Sequence, residues 1–308
     1  MENIIDWIKI EESYLNGRSL TKLEKETGIS RRRITKYLKD KGIEIINRQN
    51  EVKFDENVFD TIDSEEKAYW LGFIYADGYI SNNDYCIYKN VFELGLTLSD
   101  VEHLNKFNTF TKHISNNVKT DSYRCRWSIM NKHLWNVLNN YGCIPNKSLC
   151  LKFPNINIFK SHELIRHFLR GYFDGDGCIT FHKYVHTVTP VASVIGTKEF
   201  LLDFINYSKI PATFRHDSRH SEYTFSLEYS KENTIKLINW LYNDCTIFLN
   251  RKYKLYNFFK NGSRSVQEWT ELWSTKNGEL CDENTVVTEE TKESSAPYSV
   301  EIETDLSE

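Results

Sequence analysis

The 308-residue sequence has no run of 18 apolar residues, no CxxC pair and no basic head followed by an apolar stretch at its start, MENIIDWIKIEESY. The first absence excludes a transmembrane helix, and the last argues against a secretory signal. Its seven cysteines (86, 125, 143, 150, 178, 245 and 281) are odd in number, which disfavours a disulfide framework or a structural zinc site. An intracellular, cytoplasmic protein with no membrane partner is expected. What is present suffices for real cores: 40% of residues are apolar and 14% aromatic, enough chain for two or three domains. The net charge of −4 hides a division. From Lys276 to Glu308 ten acids face Lys276 and Lys292, leaving −8, while the rest carries 37 basic and 33 acidic groups. Residues 276–308, poor in aromatics and rich in Ser and Thr, read as a disordered acidic tail. The mildly basic body is compatible with nucleic acid.

Residues 1–46 carry a helical pattern. A first helix is expected over Glu11–Asn16, ended by Gly17; Ser19 can cap a second over Leu20–Thr27, with Gly28 at the turn. Ser30 can cap a third over Arg31–Lys41, stopped by Gly42. In it Ile34, Tyr37 and Leu38 share one face, and Arg31, Arg32, Arg33, Lys36 and Lys39 lie outside it. Two short helices across a Gly turn, the second strongly basic, resemble a helix-turn-helix DNA-binding domain. An ordinary three-helix bundle with a solvated basic face is the alternative. Residues 47–62 have no strong period and read as a linker.

From Asp63 to about Phe259 the sequence repeats itself at a spacing near one hundred residues. AYWLGFIYADGYI (68–80) is matched by HFLRGYFDGDGCI (167–179). ELGLTLSDVEHLNKF (93–107) is matched by ASVIGTKEFLLDFI (192–205), with Ser99 and Thr197 as helix caps. RCRWSIMNKHLWNVLNNYG (124–142) is matched by EYTFSLEYSKENTIKLINWLYND (222–244). Basic segments close both copies, IPNKSLCLKF (144–153) and FLNRKYKLYNFF (248–259). Each copy therefore reads helix, two strands, helix, two strands, helix: an α+β fold with internal pseudo-symmetry over 63–153 and 154–260, followed by an extension over 261–275.

The opening helix of each copy carries the chemistry. Asp63 with Glu66 forms a D-x-x-E capping box, and Ser161 can cap the second copy. Between cap and end the first helix is apolar almost all round, so it must be buried. Gly72 and Ala76, and in the second copy Gly171 and Gly175, stand four apart on one face. Small residues at that spacing let two helix backbones approach closely, so the two helices are expected to pack on each other. Each helix ends in Asp-Gly, Asp77-Gly78 and Asp176-Gly177, where the glycine can take the left-handed conformation. A carboxylate at the negative end of a helix dipole is unfavourable by about 0.3–1 kcal/mol. If the helices run parallel, the two carboxylates also repel. A divalent cation with oxygen ligands answers both costs, and Mg²⁺ suits a carboxylate pair plus phosphate oxygens. An EF-hand reading of DGDGCITFHKYV (174–185) fails, because Cys178, Ile179 and Val185 stand at its fifth, sixth and twelfth positions.

WLGFIYADG (70–78) and LRGYFDGDG (169–177) resemble the paired motifs of the LAGLIDADG homing endonucleases in their single-chain, two-motif form. The resemblance spans roughly 63–260. It implies two β-sheets forming a saddle in the DNA major groove, with the motif helices at the pseudo-twofold axis. Each helix would deliver one acid, Asp77 or Asp176, to a Mg²⁺- or Mn²⁺-dependent site cutting one strand. It also implies a basic residue near each scissile phosphate, at Lys147 and Lys252. Tyr75 departs from the pattern where the second copy has Asp174, a position that does not bind metal in the family.

The first hairpins, Tyr79–Asn90 and Thr180–Thr189, offer Asn82, Asn83, Lys89, His182 and Lys183 to the base edges of double-stranded DNA with a long recognition site. Arg124, Arg126, Arg215 and Arg219 are placed to hold phosphates or bases. The function expected is site-specific phosphodiester hydrolysis by a monomer. The alternatives are a catalytically silent DNA-binding transcription regulator and an intron RNA maturase. An intein is disfavoured by the absence of terminal nucleophile and His-Asn junctions.

Overall fold

The computed structural model describes residues 6–16, 18–43, 45, 54–113, 117–216 and 223–274. The chain divides into two compact units, 1–54 and 55–308.

The first unit holds α1 (Trp7–Leu15), α2 (Leu20–Thr27) and α3 (Arg31–Asp40). The first helix starts four residues earlier than Glu11, because Asp6 caps it by accepting from the Lys9 amide at 3.0 Å; Gly17 lies outside the described residues. Ser19 caps α2 through the Lys22 amide, and Gly28 ends it in the left-handed region at φ 69°. Ser30 stands at the start of α3, but its hydroxyl makes no capping bond. Glu24 takes that role, accepting from the Arg31 amide at 3.1 Å and pairing with the Arg31 guanidinium at 2.9 Å. Ile10, Tyr14, Leu23, Ile29, Ile34 and Leu38 form the core, with Trp7 stacked on Tyr37.

The second unit begins with residues that the sequence reading assigned to a linker. Val58, Phe59 and Ile62 are buried, and Ile62 forms a parallel bridge with Phe159. Asp60 accepts from His133 and Glu56 from Asn131, which ties the segment down. From Asp55 to Ile62 three apolar residues among five polar ones have no period, so only their tertiary contacts reveal them.

Two copies of one motif follow. The first is α4 (Glu65–Asp77), β1 (Gly78–Ile80), β2 (Val91–Thr97), α5 (Val101–Phe110), β3 (Val118–Thr120), β4 (Arg124–Met130) and α6 (Lys132–Asn140). The second is α7 (Leu164–Asp176), β5 (Gly177–Lys183), β6 (Thr187–Gly196), α8 (Lys198–Ser208), β7 (Thr213–His216), β8 (Phe225–Ser230) and α9 (Glu232–Tyr242). The antiparallel sheets share one strand order, β1-β2-β4-β3 and β5-β6-β8-β7. Then come α10 (Asn250–Phe259), β9 (Arg264–Ser265) and α11 (Val266–Ser274). β9 adds to the second sheet beside β6, and Trp269 packs its ring on Phe181, Phe258 and Phe259.

Alternation divides each sheet into a packed and an open face. Ile80, Phe92, Leu94, Trp127 and Ile129 are buried in the first, with Leu104 and Phe107 of α5 and Leu134 and Leu138 of α6. Val188, Ala192, Val194, Leu227 and Tyr229 are buried in the second, with Phe200, Phe204, Leu237 and Leu241. Thr197 caps α8 as expected, accepting from the Phe200 amide at 3.3 Å.

In the second unit three expected caps are corrected. Ser64, not Asp63, caps α4 through the Lys67 amide. Asp63 is claimed by the Thr61 hydroxyl at 2.9 Å and the Lys67 ammonium at 2.9 Å. Glu163 stands at the N-cap of α7 and its side chain makes no capping bond, so Ser161 does not serve. A short 3₁₀ turn, Leu98–Asp100, leads into α5, and the Ser99 hydroxyl pairs with Thr97 instead.

Candidate active site

The two motif helices lie against each other, and the glycines explain how closely. A Cβ added at Gly72 would stand 1.8 Å from the Phe168 carbonyl oxygen, and one at Gly171 would stand 1.9 Å from that of Tyr69. Phe168 and Tyr69 occupy equal places in the two copies, so each helix takes the other's carbonyl into the space of its missing side chain. Along the same seam, a Cβ at Gly175 would stand 2.3 Å from the Ala76 Cβ and 2.9 Å from Asp77 Oδ2. Every residue of α4 from Ala68 to Tyr75 is buried, as is α7 from His167 to Asp174. Gly78 and Gly177 are not left-handed: their φ values are −75° and −93°. Glycine is required there for room, since a Cβ would come within 2.5 Å of the Ile74 or Phe173 carbonyl oxygen.

This packing brings the helix ends, and with them Asp77 and Asp176, to one place, each half-buried. Burial pushes the Asp77 carboxyl up to about 7, with the Asp176 charge adding to the shift and Lys252 and Lys147 opposing it. Asp176 is raised by burial too, with Lys147, Lys252 and the Tyr172 hydroxyl opposing. Two neighbouring carboxyls whose charged forms are both disfavoured make a site that needs positive charge.

Lys147 and Lys252 supply part of it from an unforeseen position. Lys147 Nζ donates to the carbonyls of Ala76 at 2.9 Å and Gly78 at 2.6 Å. Asn146, at φ 58°, turns the chain into the 3₁₀ turn that carries it. Lys252, in the first turn of α10, donates to the carbonyls of Phe173 at 2.6 Å, Asp174 at 2.8 Å and Gly177. Each ammonium thus closes the carboxyl end of its own copy's motif helix, where carbonyls lack intrahelical partners and the dipole is negative. Burial lowers the Lys147 ammonium and pulls that of Lys252 down to about 8.

Behind the carboxylates the copies differ. Asp174 is fully buried and accepts from Tyr69 Oη at 2.7 Å, Tyr242 Oη at 2.5 Å and the Leu249 amide at 2.7 Å. Its counterpart Tyr75 donates to the Tyr141 carbonyl. Arg170, also fully buried, donates to Glu65 at 2.7 Å, to the Ile247 and Leu241 carbonyls and to His167, while Glu65 also accepts from the Thr246 amide. Sequence reasoning singled out none of Arg170, Glu65 or Tyr172; only Tyr172, one helical turn before Asp176, carried a local signal.

The expected DNA contacts divide. Arg124 and Arg126 project from the open face of the first sheet, Arg126 lying 3.6 Å from Glu93. Arg215 projects from that of the second, 2.8 Å from Glu228. His182 has the same parity, whereas Lys183 has that of the packed face and is exposed only because it ends the strand. Lys89 is exposed. The Asn83 amide is engaged inside its own loop, bonded to Ser81 and to Asn90, and Asn82 Oδ1 accepts from the Asp84 amide. These two asparagines tie together the ten-residue loop that joins β1 to β2. Arg219 lies outside the described residues. In the first unit Arg32, Arg33 and Lys36 are exposed, and Arg31 is paired with Glu24.

Among the described residues no group of three or more His, Cys, Asp and Glu side chains is placed to hold a metal ion, and no helix is long and apolar enough to cross a membrane. No family model matches the sequence, and no curated protein matches it. Among solved structures, the meganuclease I-SmaMI bound to uncleavable DNA is similar at 15% identity over 70% of this chain and 99% of its own, with TM-score 0.46. The LAGLIDADG homing endonuclease I-GzeII in complex with its DNA target is similar at 13% identity over 68% of this chain and 91% of its own, with TM-score 0.43. I-SmaMI bound to uncleaved target with calcium ions is similar at 13% identity over 62% and 89%, with TM-score 0.42.

Proposed function

We propose that this chain is a site-specific, divalent-metal-dependent DNA endonuclease of the two-motif LAGLIDADG kind, hydrolysing phosphodiester bonds between the ends of α4 and α7. The observation that carries this reading is the meeting of Asp77 and Asp176, both half-buried and both raised, at the ends of two helices held together at Gly72 and Gly171. A protein that only bound DNA would have no use for two carboxyls kept at such an electrostatic cost.

The donor set fits Mg²⁺ or Mn²⁺. Two carboxylates, joined among the described residues by no third acidic, His or Cys side chain placed to hold a metal, leave most coordination positions to water and phosphate oxygens, as hard octahedral ions prefer. Such an ion, when bound, lowers the pKa of a water and stabilises the attacking and leaving oxygens. Asp77 and Asp176 hold that charge, the Tyr172 hydroxyl, anchored on the Ile195 carbonyl at 2.8 Å, favours the charged form of Asp176, and the lysines fix the carboxyl ends of both helices. The open sheet faces, with Arg124, Arg126, Arg215 and His182, meet double-stranded DNA. One chain supplies both carboxylates, so a monomer suffices. The first unit serves as an accessory helix-turn-helix domain through Arg31, Arg32, Arg33 and Lys36.

The test is selection of cleaved sites from randomised long duplexes with Mg²⁺, with Mn²⁺ and with Ca²⁺. Cleavage lost in Asp77→Asn and Asp176→Asn is expected. Tight sequence-specific binding with no cut under any ion would overturn the nuclease in favour of a DNA-binding regulator.

A further inference from the structure

An ammonium has three hydrogens to donate. Lys147 uses two of them, on Ala76 and Gly78, and its side chain is partly exposed. Lys252 uses all three, on Phe173, Asp174 and Gly177, and is only 2% exposed. Its acceptors also lie deeper: two come from the turn before Asp176, whereas those of Lys147 flank Asp77 directly. The difference belongs to the elements that carry the two residues. A short 3₁₀ turn after a left-handed Asn146 brings Lys147 to the helix end from outside. The regular helix α10 buries Lys252 beneath α7, with the Phe173 ring 5.2 Å from its ammonium.

We propose that the two halves of the site are chemically unequal: Lys147 is the lysine that carries a hydrogen to a scissile phosphate, Lys252 is a positioning residue, and the strand served by Lys147 is cut first. The inference rests on the nuclease reading above. Lys252 can reach a phosphate only by giving up a charge-assisted bond to a buried carbonyl, which makes the second strand about 10- to 100-fold slower. Its three bonds instead fix the end of α7 that presents Asp176.

The experiment is single-turnover cleavage of a selected target with each strand separately labelled, over a range of Mg²⁺ concentrations. In the wild-type chain a nicked duplex is expected to accumulate. Lys147→Met slows the faster strand by about 10²-fold at saturating Mg²⁺, the size of effect seen when one donor to a developing negative charge is removed. Lys252→Met raises the Mg²⁺ concentration needed for half-maximal cutting of the other strand, and saturating Mg²⁺ restores its rate. Equal strand rates without a nicked intermediate would overturn the proposal. So would a Lys252→Met loss as large as that of Lys147→Met and persisting at saturating Mg²⁺. If Lys252→Met does not fold, the wild-type strand ratio and Lys147→Met decide. A wild-type chain that cuts no duplex would refute the nuclease reading itself, and this inference with it.

Discussion

The two motif helices end alike and differ behind the end. Both present Asp-Gly, both have a glycine filled by the other's carbonyl, and both are closed by a lysine. One turn back, α4 carries Leu71 and Tyr75 where α7 carries Arg170 and Asp174, two buried charged residues with at least three hydrogen-bond partners each. What is identical is what a twofold seam imposes on both sides at once: a Cβ on either helix meets the backbone of its partner. What differs lies behind the seam, where Arg170 and Asp174 bond to Glu65 and Tyr69 of the first copy as well as to groups of their own, and Leu71 and Tyr75 have no such pair. A buried charge is tolerated in α7 because every one of its acceptors or donors is satisfied.

The comparison is broken most severely at the carboxylates. Asp77→Asn and Asp176→Asn are each expected to lower strand cleavage by about 10³-fold or more, because a neutral amide no longer holds the cation, with sequence-specific binding retained. Gel-shift and cleavage assays on one target separate the two effects. Next come the seam glycines: Gly72→Ala and Gly171→Ala should each destabilise by about 3–5 kcal/mol, and by similar amounts, since each Cβ meets a rigid carbonyl. Urea titration measures both; a mild effect at one alone would show the seam to be lopsided.

Asp174→Ala and Tyr75→Phe sharpen the difference behind the seam. The first strands two buried hydroxyls and an amide and is expected to cost about 3–5 kcal/mol. The second removes one hydroxyl bond and should cost about 1 kcal/mol.

The last effect is on pH. Asp77 titrates near 4 in the unfolded chain and near 7 in the folded one, so between those values the native state holds the extra proton. In the absence of metal, stability therefore falls as pH rises from about 4 to about 7, and Asp77→Asn should remove the Asp77 share of that slope, leaving the share of Asp176, which is raised too. Thermal melts of both proteins in chelator, at intervals across that window, check it.

How much of this was legible follows the same division. The duplication, the buried helices, the Gly-x-x-x-small seam and the Asp-Gly ends are local patterns, and each appears in the sequence twice. The attachment of Lys147 and Lys252 to helix-end carbonyls was not readable, because the acceptors are backbone atoms about 70 residues away and carry no residue type. Nor was the Glu65–Arg170 pair, whose partners sit in different copies with no matching pair to repeat it. Ser64 rather than Asp63 at the cap of α4 turned on Thr61 and Lys67, neighbours that compete for one carboxylate.

The all-apolar surface of α4 has a consequence for synthesis. Its principal cover is α7, whose first residue, Leu164, is the 87th after Asp77. At about 5–20 residues per second the ribosome needs about 4–17 s to deliver that partner. For that interval a helix bearing Trp70, Leu71, Phe73 and Ile74 is without its mate, and the rising chain must be shielded from its own neighbours on the polysome until the second copy arrives.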